Sequence, residues 1–170
     1  MHAARGAAPL WDVLRSGGDQ LVAAAGIGDD LRSIAEAASS GDSSAWEGDL
    51  LRCRNVIDKL SQHLYRVSGD TYPYIRDQAS KPIVVSGARY KNRLIAYLHQ
   101  KGLNREDRSS LNAHVDWFWS YESAVNDLAS KGKQAVSQRD VANGLLHTYL
   151  LISELAARTD GEPITSLREP

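Results

Sequence analysis

The fold is decided by residues 44–65, which read SAWEGDLLRCRNVIDKLSQHLY. Apolar side chains recur there at helical spacing, in the order Trp46, Leu50, Cys53, Ile57, Leu60 and Leu64. Steps of three and four residues place these side chains on one face, so the stretch predicts an amphipathic helix with Ser43 or Ser44 as its N-cap. Cys53 lies on the apolar stripe, which indicates a small core residue rather than a reactive nucleophile.

Helical periodicity continues towards the C-terminus. Apolar residues predict helices over residues 86–101 and 105–129, and Gly102 between them suits a C-terminal cap. Ser137 followed by Asp140 resembles a capping box, with Asp in place of the usual Glu or Gln. This pair predicts the start of a last helix.

Towards the N-terminus the helical pattern is shorter. One helix is suggested by Leu10, Val13, Leu14 and Leu21, and a second by residues 29–39, with Gly26-Ile27-Gly28 as the turn between them. Residues 66–85 read as a long loop, in which Ile83-Val84-Val85 is the only candidate strand.

The sequence therefore predicts an all-α fold, a bundle of four to six helices. Residues 1–42 are expected to form a small helical N-terminal extension, residues 43–158 the bundle itself, and residues 159–170 a flexible tail.

Composition restricts the class of protein. The chain has 170 residues, a net charge of −1 and a single cysteine, which fits one cytoplasmic domain without an internal disulfide. No apolar run approaches the ~20 residues that a membrane span needs. Residues 19–49 carry a net charge of −6 and residues 81–108 a net charge of +5. These segments are either solvated faces that attract each other, within the fold or across a dimer, or a basic patch for phosphate or RNA.

Catalytic signatures are sparse. Motifs for phosphate loops, zinc proteases and serine hydrolases are absent from the sequence, and the five histidines lie far apart, so no cofactor or metal is predicted. Two stretches place five residues between an arginine and a histidine, Arg93 to His99 and Arg108 to His114. In helical ribonucleases of the HEPN type such an arginine can hold the scissile phosphate while the histidine transfers protons. The alternative for both pairs is that they are surface residues of a helix.

Three stretches in order resemble the C-terminal, HEPN-like helical domain of bacterial AbiTii-type proteins, which are linked to abortive infection and phage defence. They are AWEGDLLRCRNVIDKLSQHLY, ARYKNRLIAYL and LASKGKQAVSQRDVANGLLHTYLLISEL. The family motifs fall on Cys53-Arg54, Tyr90–Leu94, Ser130–Gly132 and Thr148–Leu151. The chain departs from the family at Gln134, where a histidine is usual, and glutamine carries no proton near neutral pH.

The resemblance implies a polar cluster at one pole of the bundle, made by Arg54, Tyr90, Asn92, Arg93, Lys131 and Gln134. Such a cluster is either a buried hydrogen-bond network that fixes helix register or a pocket for an anion or RNA. A second group, Trp117, Trp119 and Tyr121, covers more than one face of its helix. These rings are either wrapped by neighbouring helices or form a partner surface.

Three functions are compatible with these features. The first is a non-catalytic interaction module of a prokaryotic antiphage defence system, which binds a partner subunit or assembles with itself into a dimer or larger oligomer. The second is a metal-independent HEPN-type ribonuclease or RNA-binding toxin effector. The third is a ligand-sensing bundle in which residues 66–85 cover a pocket.

Overall fold

The computed structural model describes residues 18–40, 43–44, 46–73, 82–87, 89–130 and 135–167. In these residues the chain forms six helices and one two-stranded hairpin, which confirms the all-α prediction. The elements are α1 (Asp19–Ala25), α2 (Gly28–Ser40), α3 (Trp46–Leu64), β1 (Thr71–Tyr72), β2 (Ile83–Val84), α4 (Tyr90–Gln100), α5 (Arg105–Ser130) and α6 (Gln138–Arg158).

Helix α3 is the centre of the bundle and packs against α1, α2, α4 and α6. Its predicted stripe is confirmed, because the side chains from Leu50 to Leu64 at helical spacing are fully buried and only Trp46 at the start is half-buried. The buried face is wider than predicted, since Asp49, Val56 and Ser61 are buried as well. The helix begins at Trp46, one residue later than an N-cap at Ser44 implies and two later than an N-cap at Ser43 implies.

Helices α1 and α2 lie against α3 and α6. Gly26 ends α1 with a φ of 65°, a conformation that suits glycine, and Ile27 between the two helices is completely buried. The helix–helix turn predicted at Gly26-Ile27-Gly28 is therefore confirmed. Leu21 and Leu31 enter the same core as α3, so packing continues across the proposed boundary at residue 42. The apolar residues Leu10, Val13 and Leu14 lie outside the described residues.

The candidate strand at residues 83–85 is present and has a partner that the sequence did not indicate. Thr71 pairs with Val84 and Tyr72 with Ile83 in an antiparallel hairpin. The backbone N–H of Val85 donates to the Asp70 carbonyl at 2.9 Å, which extends the pairing by one bond. The stretch predicted as loop thus carries a small hairpin that packs beside α4.

The capping predictions around α4 and α6 are confirmed. Gly102 follows α4 with a φ of 66°. Ser137 and Asp140 form a complete capping box, in which each side chain bonds the backbone N–H of the other residue.

The predicted flexible tail is instead attached to the bundle as far as Ile164. The N–H of Ile164 donates to the Leu64 carbonyl and the N–H of Arg66 donates to the Ile164 carbonyl, both at 2.9 Å. The hydroxyl of Tyr97 donates to Thr159 at 3.1 Å. Backbone pairing after a helix is not visible in an apolar pattern, which is why the sequence did not predict it. In the described part of the chain, none of the helices combines the length and the apolar character needed to cross a membrane.

Candidate functional site

Arg93 is buried at the junction of α3, α4 and the hairpin, with 5% of its surface exposed. Its Nε donates to Ser61 Oγ at 2.9 Å, and its Nη1 donates to the carbonyls of Val85, at 3.0 Å, and Gly87. Its Nη2 forms an ion pair with Asp58. Burial lowers the pKa of Arg93, and the charge of Asp58 opposes this shift. The guanidinium therefore holds the hairpin against α3, with four of its five N–H donors bonded to protein atoms.

Sequence reasoning missed Asp58 and Ser61, the two partners of Arg93 on α3. Ser61 is fully buried and its hydroxyl also donates to the Asp58 carbonyl at 2.7 Å. The available signal was spacing, because Ser61 lies four residues after Ile57 and therefore on the core side of the helix. A small polar residue at such a position needs a hydrogen-bond partner from another element.

The other residues of the predicted polar cluster lie in different places. Asn92 donates to the Val84 carbonyl at 2.6 Å, so it supports the same junction as Arg93. Tyr90 is buried against α5 rather than in this junction, and its ring packs edge-on against Phe118 with centroids 6.3 Å apart. Arg54 is half-buried on α3, one turn before Asp58. Lys131 and Gln134 lie outside the described residues.

Arg93 and His99 make separate contacts, Arg93 with Ser61 and Asp58 and His99 with Tyr72. The structure instead brings His99 of one pair towards Arg108 of the other. Burial lowers the pKa of His99, and the nearby charge of Arg108 lowers it further. Arg108 has no carboxylate within ion-pair distance among the residues that the structure describes.

The position of His99 is set by two residues that the sequence did not indicate, Tyr72 and Gln100. Nδ1 of His99 lies 2.6 Å from the hydroxyl of the buried Tyr72, and that hydroxyl accepts from Gln100 Nε2 at 2.9 Å. The tautomer of His99 decides whether the Tyr72 hydroxyl or Nδ1 donates in this contact. The arrangement gives one oriented imidazole beside one cationic guanidinium.

The histidine of the second predicted pair belongs to the seam between α5 and α6. His114 lies near His147, whose pKa is lowered first by burial and then by the charge of His114. The ring of Trp117 is stacked on His147, with centroids 3.2 Å apart, and on Tyr121, with centroids 4.8 Å apart. Tyr121 donates to Asp140 Oδ1 at 2.8 Å. Trp117 thus packs between α5 and α6, although 37% of its surface remains exposed.

Trp119 lies on another side of α5 and is 39% exposed. It packs against Tyr90, with centroids 6.0 Å apart, and the Nζ of Lys91 lies 5.9 Å from its ring centroid. Lys91 also pairs with Asp116 at 2.7 Å. Residues two apart on a helix point in nearly opposite directions, so the predicted surface of Trp117, Trp119 and Tyr121 is divided between two sides of the molecule.

We name the second side the Trp119 face and define it as Val84, Lys91, Asn92, Asp116 and Trp119. Asn92 connects it to the hairpin through the Val84 carbonyl, and the Val84 side chain is 46% exposed. The face therefore presents two partly exposed apolar side chains, Val84 and Trp119, and one ion pair, Lys91 with Asp116.

Among the described residues, no group of three or more histidine, cysteine or acidic side chains could hold a metal ion. The chain matches no protein-family model, no curated protein and no solved structure, so the resemblance to AbiTii-type proteins stays a prediction.

Proposed function

We propose that the chain is a non-catalytic helical interaction module of a prokaryotic antiphage defence system, working in the cytoplasm. The observation that carries the proposal is the position of Arg93, one of the two arginines that the HEPN-type spacing offers for a phosphate. All three of its nitrogens bond to protein atoms in a buried site. An arginine held in this way stabilises the fold, and four of its five N–H donors are already used by protein atoms.

The Trp119 face is the surface that would bind a partner subunit or a second copy of the chain. Tryptophan is the side chain most enriched among interface hot spots, and Lys91 and Asp116 supply a polar border. The indole is already held in place by Tyr90 and Lys91. Little side-chain freedom is therefore lost on binding, which favours affinity. The defence setting comes from the resemblance alone.

The test compares Trp119→Ala with Leu51→Ala, because Leu51 is an exposed apolar residue on α3 and serves as the matched control. Tagged full-length protein is recovered from its host with and without phage challenge, and its mass is measured by light scattering. We expect the associated protein, or a mass above 18.6 kDa, to be lost in Trp119→Ala and kept in Leu51→Ala. A hot-spot tryptophan contributes about 2 kcal/mol or more, so binding should weaken about 30-fold. Equal recovery with both variants would contradict the proposal.

A second candidate function, metal-independent RNA cleavage or RNA binding, is favoured by one observation. His99 lies 2.6 Å from the Tyr72 hydroxyl, and the charge of Arg108 contributes to lowering its pKa, so a titratable imidazole and a cation act in the same part of the bundle. The assay incubates purified protein with total RNA in EDTA buffer. We expect the RNA to remain intact. Fragmentation that disappears in both His99→Ala and Arg108→Ala would replace the first proposal with this one.

A further inference from the structure

The C-terminal segment, residues 159–167, is joined to the end of α3 by two backbone hydrogen bonds. The N–H of Ile164 donates to the Leu64 carbonyl and the N–H of Arg66 donates to the Ile164 carbonyl, both at 2.9 Å. The Ile164 side chain packs against the core at this point. One of the two bonds therefore depends on the position of Arg66.

The side chain of Arg66 is held by His63, the last basic residue of α3. Nη2 of Arg66 lies 2.8 Å from Nδ1 of His63, and Nε of Arg66 donates to the His63 carbonyl at 3.0 Å. A guanidinium has only donors, so Nδ1 accepts and carries no proton. The proton of neutral His63 is therefore on Nε2, which is buried without a hydrogen-bond partner in the described part of the chain. Protonation would place a hydrogen on Nδ1 and a second cation beside Arg66, so the contact requires the neutral imidazole.

The surroundings of His63 favour this neutral form. Burial lowers the pKa of His63, the charge of Arg66 lowers it further, and the charge of Glu162 in the C-terminal segment opposes both. A histidine whose pKa is lowered by its contacts binds a proton more readily once those contacts are released. Falling pH therefore favours the form in which the contacts of His63 are open.

We propose that the contact between Arg66 and His63 is a pH-sensitive switch that holds the C-terminal segment against the end of α3. At neutral pH the neutral imidazole fixes Arg66, and the N–H of Arg66 bonds to Ile164. Below about pH 6.5 the imidazolium repels the guanidinium, and the part of the segment around Ile164 separates from α3 while the helices stay folded.

The separation stops at Asp160. The hydrogen bond from Lys101 lowers the pKa of Asp160, so this carboxylate stays ionised and keeps its ion pair in the same pH range. The N–H of Thr159 donates to the Leu155 carbonyl at 2.9 Å, in a bond that involves no titrating group. The amide of Thr159 is therefore an internal reference for the amide of Ile164.

The test is amide hydrogen exchange of the full-length protein, followed by NMR spectroscopy at about pH 7.5 and about pH 5 and corrected for the intrinsic exchange rate at each pH. The amides of Arg66 and Ile164 should lose about fivefold in protection at the lower pH, the effect of losing one hydrogen bond of about 1 kcal/mol. The protection of the Thr159 amide should not change. An equal loss at all three amides would indicate general destabilisation and overturn the proposal, as would an unchanged Ile164 amide.

Three variants assign the effect to His63. His63→Asn places an oxygen acceptor that does not titrate near the position of Nδ1, so Ile164 should be equally protected at both pH values. Arg66→Ala removes the contact, so Ile164 should exchange at both pH values as fast as it does in the wild type at the lower pH. The control is His147→Gln, which replaces another half-buried histidine in the seam between α5 and α6 and should keep the pH dependence of Ile164. A pH dependence that persists in His63→Asn, or that disappears in His147→Gln, would contradict the proposal.

Discussion

Replacing Arg93 by alanine removes a side chain that joins α3, α4 and the hairpin. The four hydrogen bonds of the guanidinium are lost together, and the four acceptors, on Asp58, Ser61, Val85 and Gly87, stay in place. Breaking a buried ion pair by removing one partner destabilises a protein by about 3–5 kcal/mol. The Asp58 side chain is 23% exposed and is partly hydrated again in the variant. We therefore expect the lower end of this range of destabilisation, about 3 kcal/mol.

The free energy of unfolding is measured by urea titration followed by circular dichroism. For a protein of this size each kcal/mol corresponds to about 2–4 °C in Tm, so Arg93→Ala should lower Tm by about 6–12 °C. Arg93→Lys keeps a charge near Asp58 but cannot reach both carbonyls and the serine. Its free energy of unfolding should therefore fall by an intermediate amount, about 1–2 kcal/mol.

The matched control is Arg32→Ala, because Arg32 pairs with Asp29 at 3.1 Å on the open surface of α2. That variant should stay within about 0.5 kcal/mol of the wild type. If Arg93→Ala were destabilised no more than Arg32→Ala, the role of Arg93 as the organising residue of the junction would be refuted.

Three further predictions concern the helix α6. Asp140→Ala removes one half of the capping box with Ser137 and should lower the free energy of unfolding by about 1–2 kcal/mol in urea titration; an unchanged midpoint would show that the box contributes nothing. Gly144→Ala brings a Cβ to 2.9 Å from Leu50 Cδ1, so it should destabilise by about 1–3 kcal/mol despite the better helix propensity of alanine, and a stabilised variant would contradict this close packing. Burial lowers the pKa of His147 below its ordinary 6.5, so the unfolded chain binds a proton at this histidine first and stability should fall as the pH drops below about 6.5. Thermal melts of the wild type and of His147→Gln across pH measure this, and the variant should lack that part of the fall. An identical pH dependence in both proteins would argue against this role of His147.

Most of the helical fold could be predicted because its information is local. The stripe from Leu50 to Leu64 and the capping box at Ser137 depend on neighbours within four residues, and both are present. The hairpin depends on contacts between distant parts of the chain. Its strands have only two residues each, too few for an alternating pattern, and their position is set by Arg93 and Asn92 of the next helix.

The candidate site could be predicted only in part. The sequence indicated Arg93, His99 and Arg108 as chemically relevant, yet it paired them along the chain rather than in space. The partner of Arg93 lies 35 residues away on α3 and that of His99 lies 27 residues away on the hairpin. Such distances are fixed by helix register and packing, which a linear spacing rule does not contain.

The attachment of Ile164 beside Tyr65 has a practical consequence for dissecting the protein. A fragment that stops at Arg158 would retain the six described helices, but it would lose the C-terminal segment that bonds to the end of α3 through Ile164. The Leu64 carbonyl and the Arg66 amide would lose their hydrogen-bond partners, and Lys101 would lose its ion pair with the carboxylate of Asp160. Shortened versions should therefore retain residues up to Leu167, and a fusion partner is better joined beyond that residue.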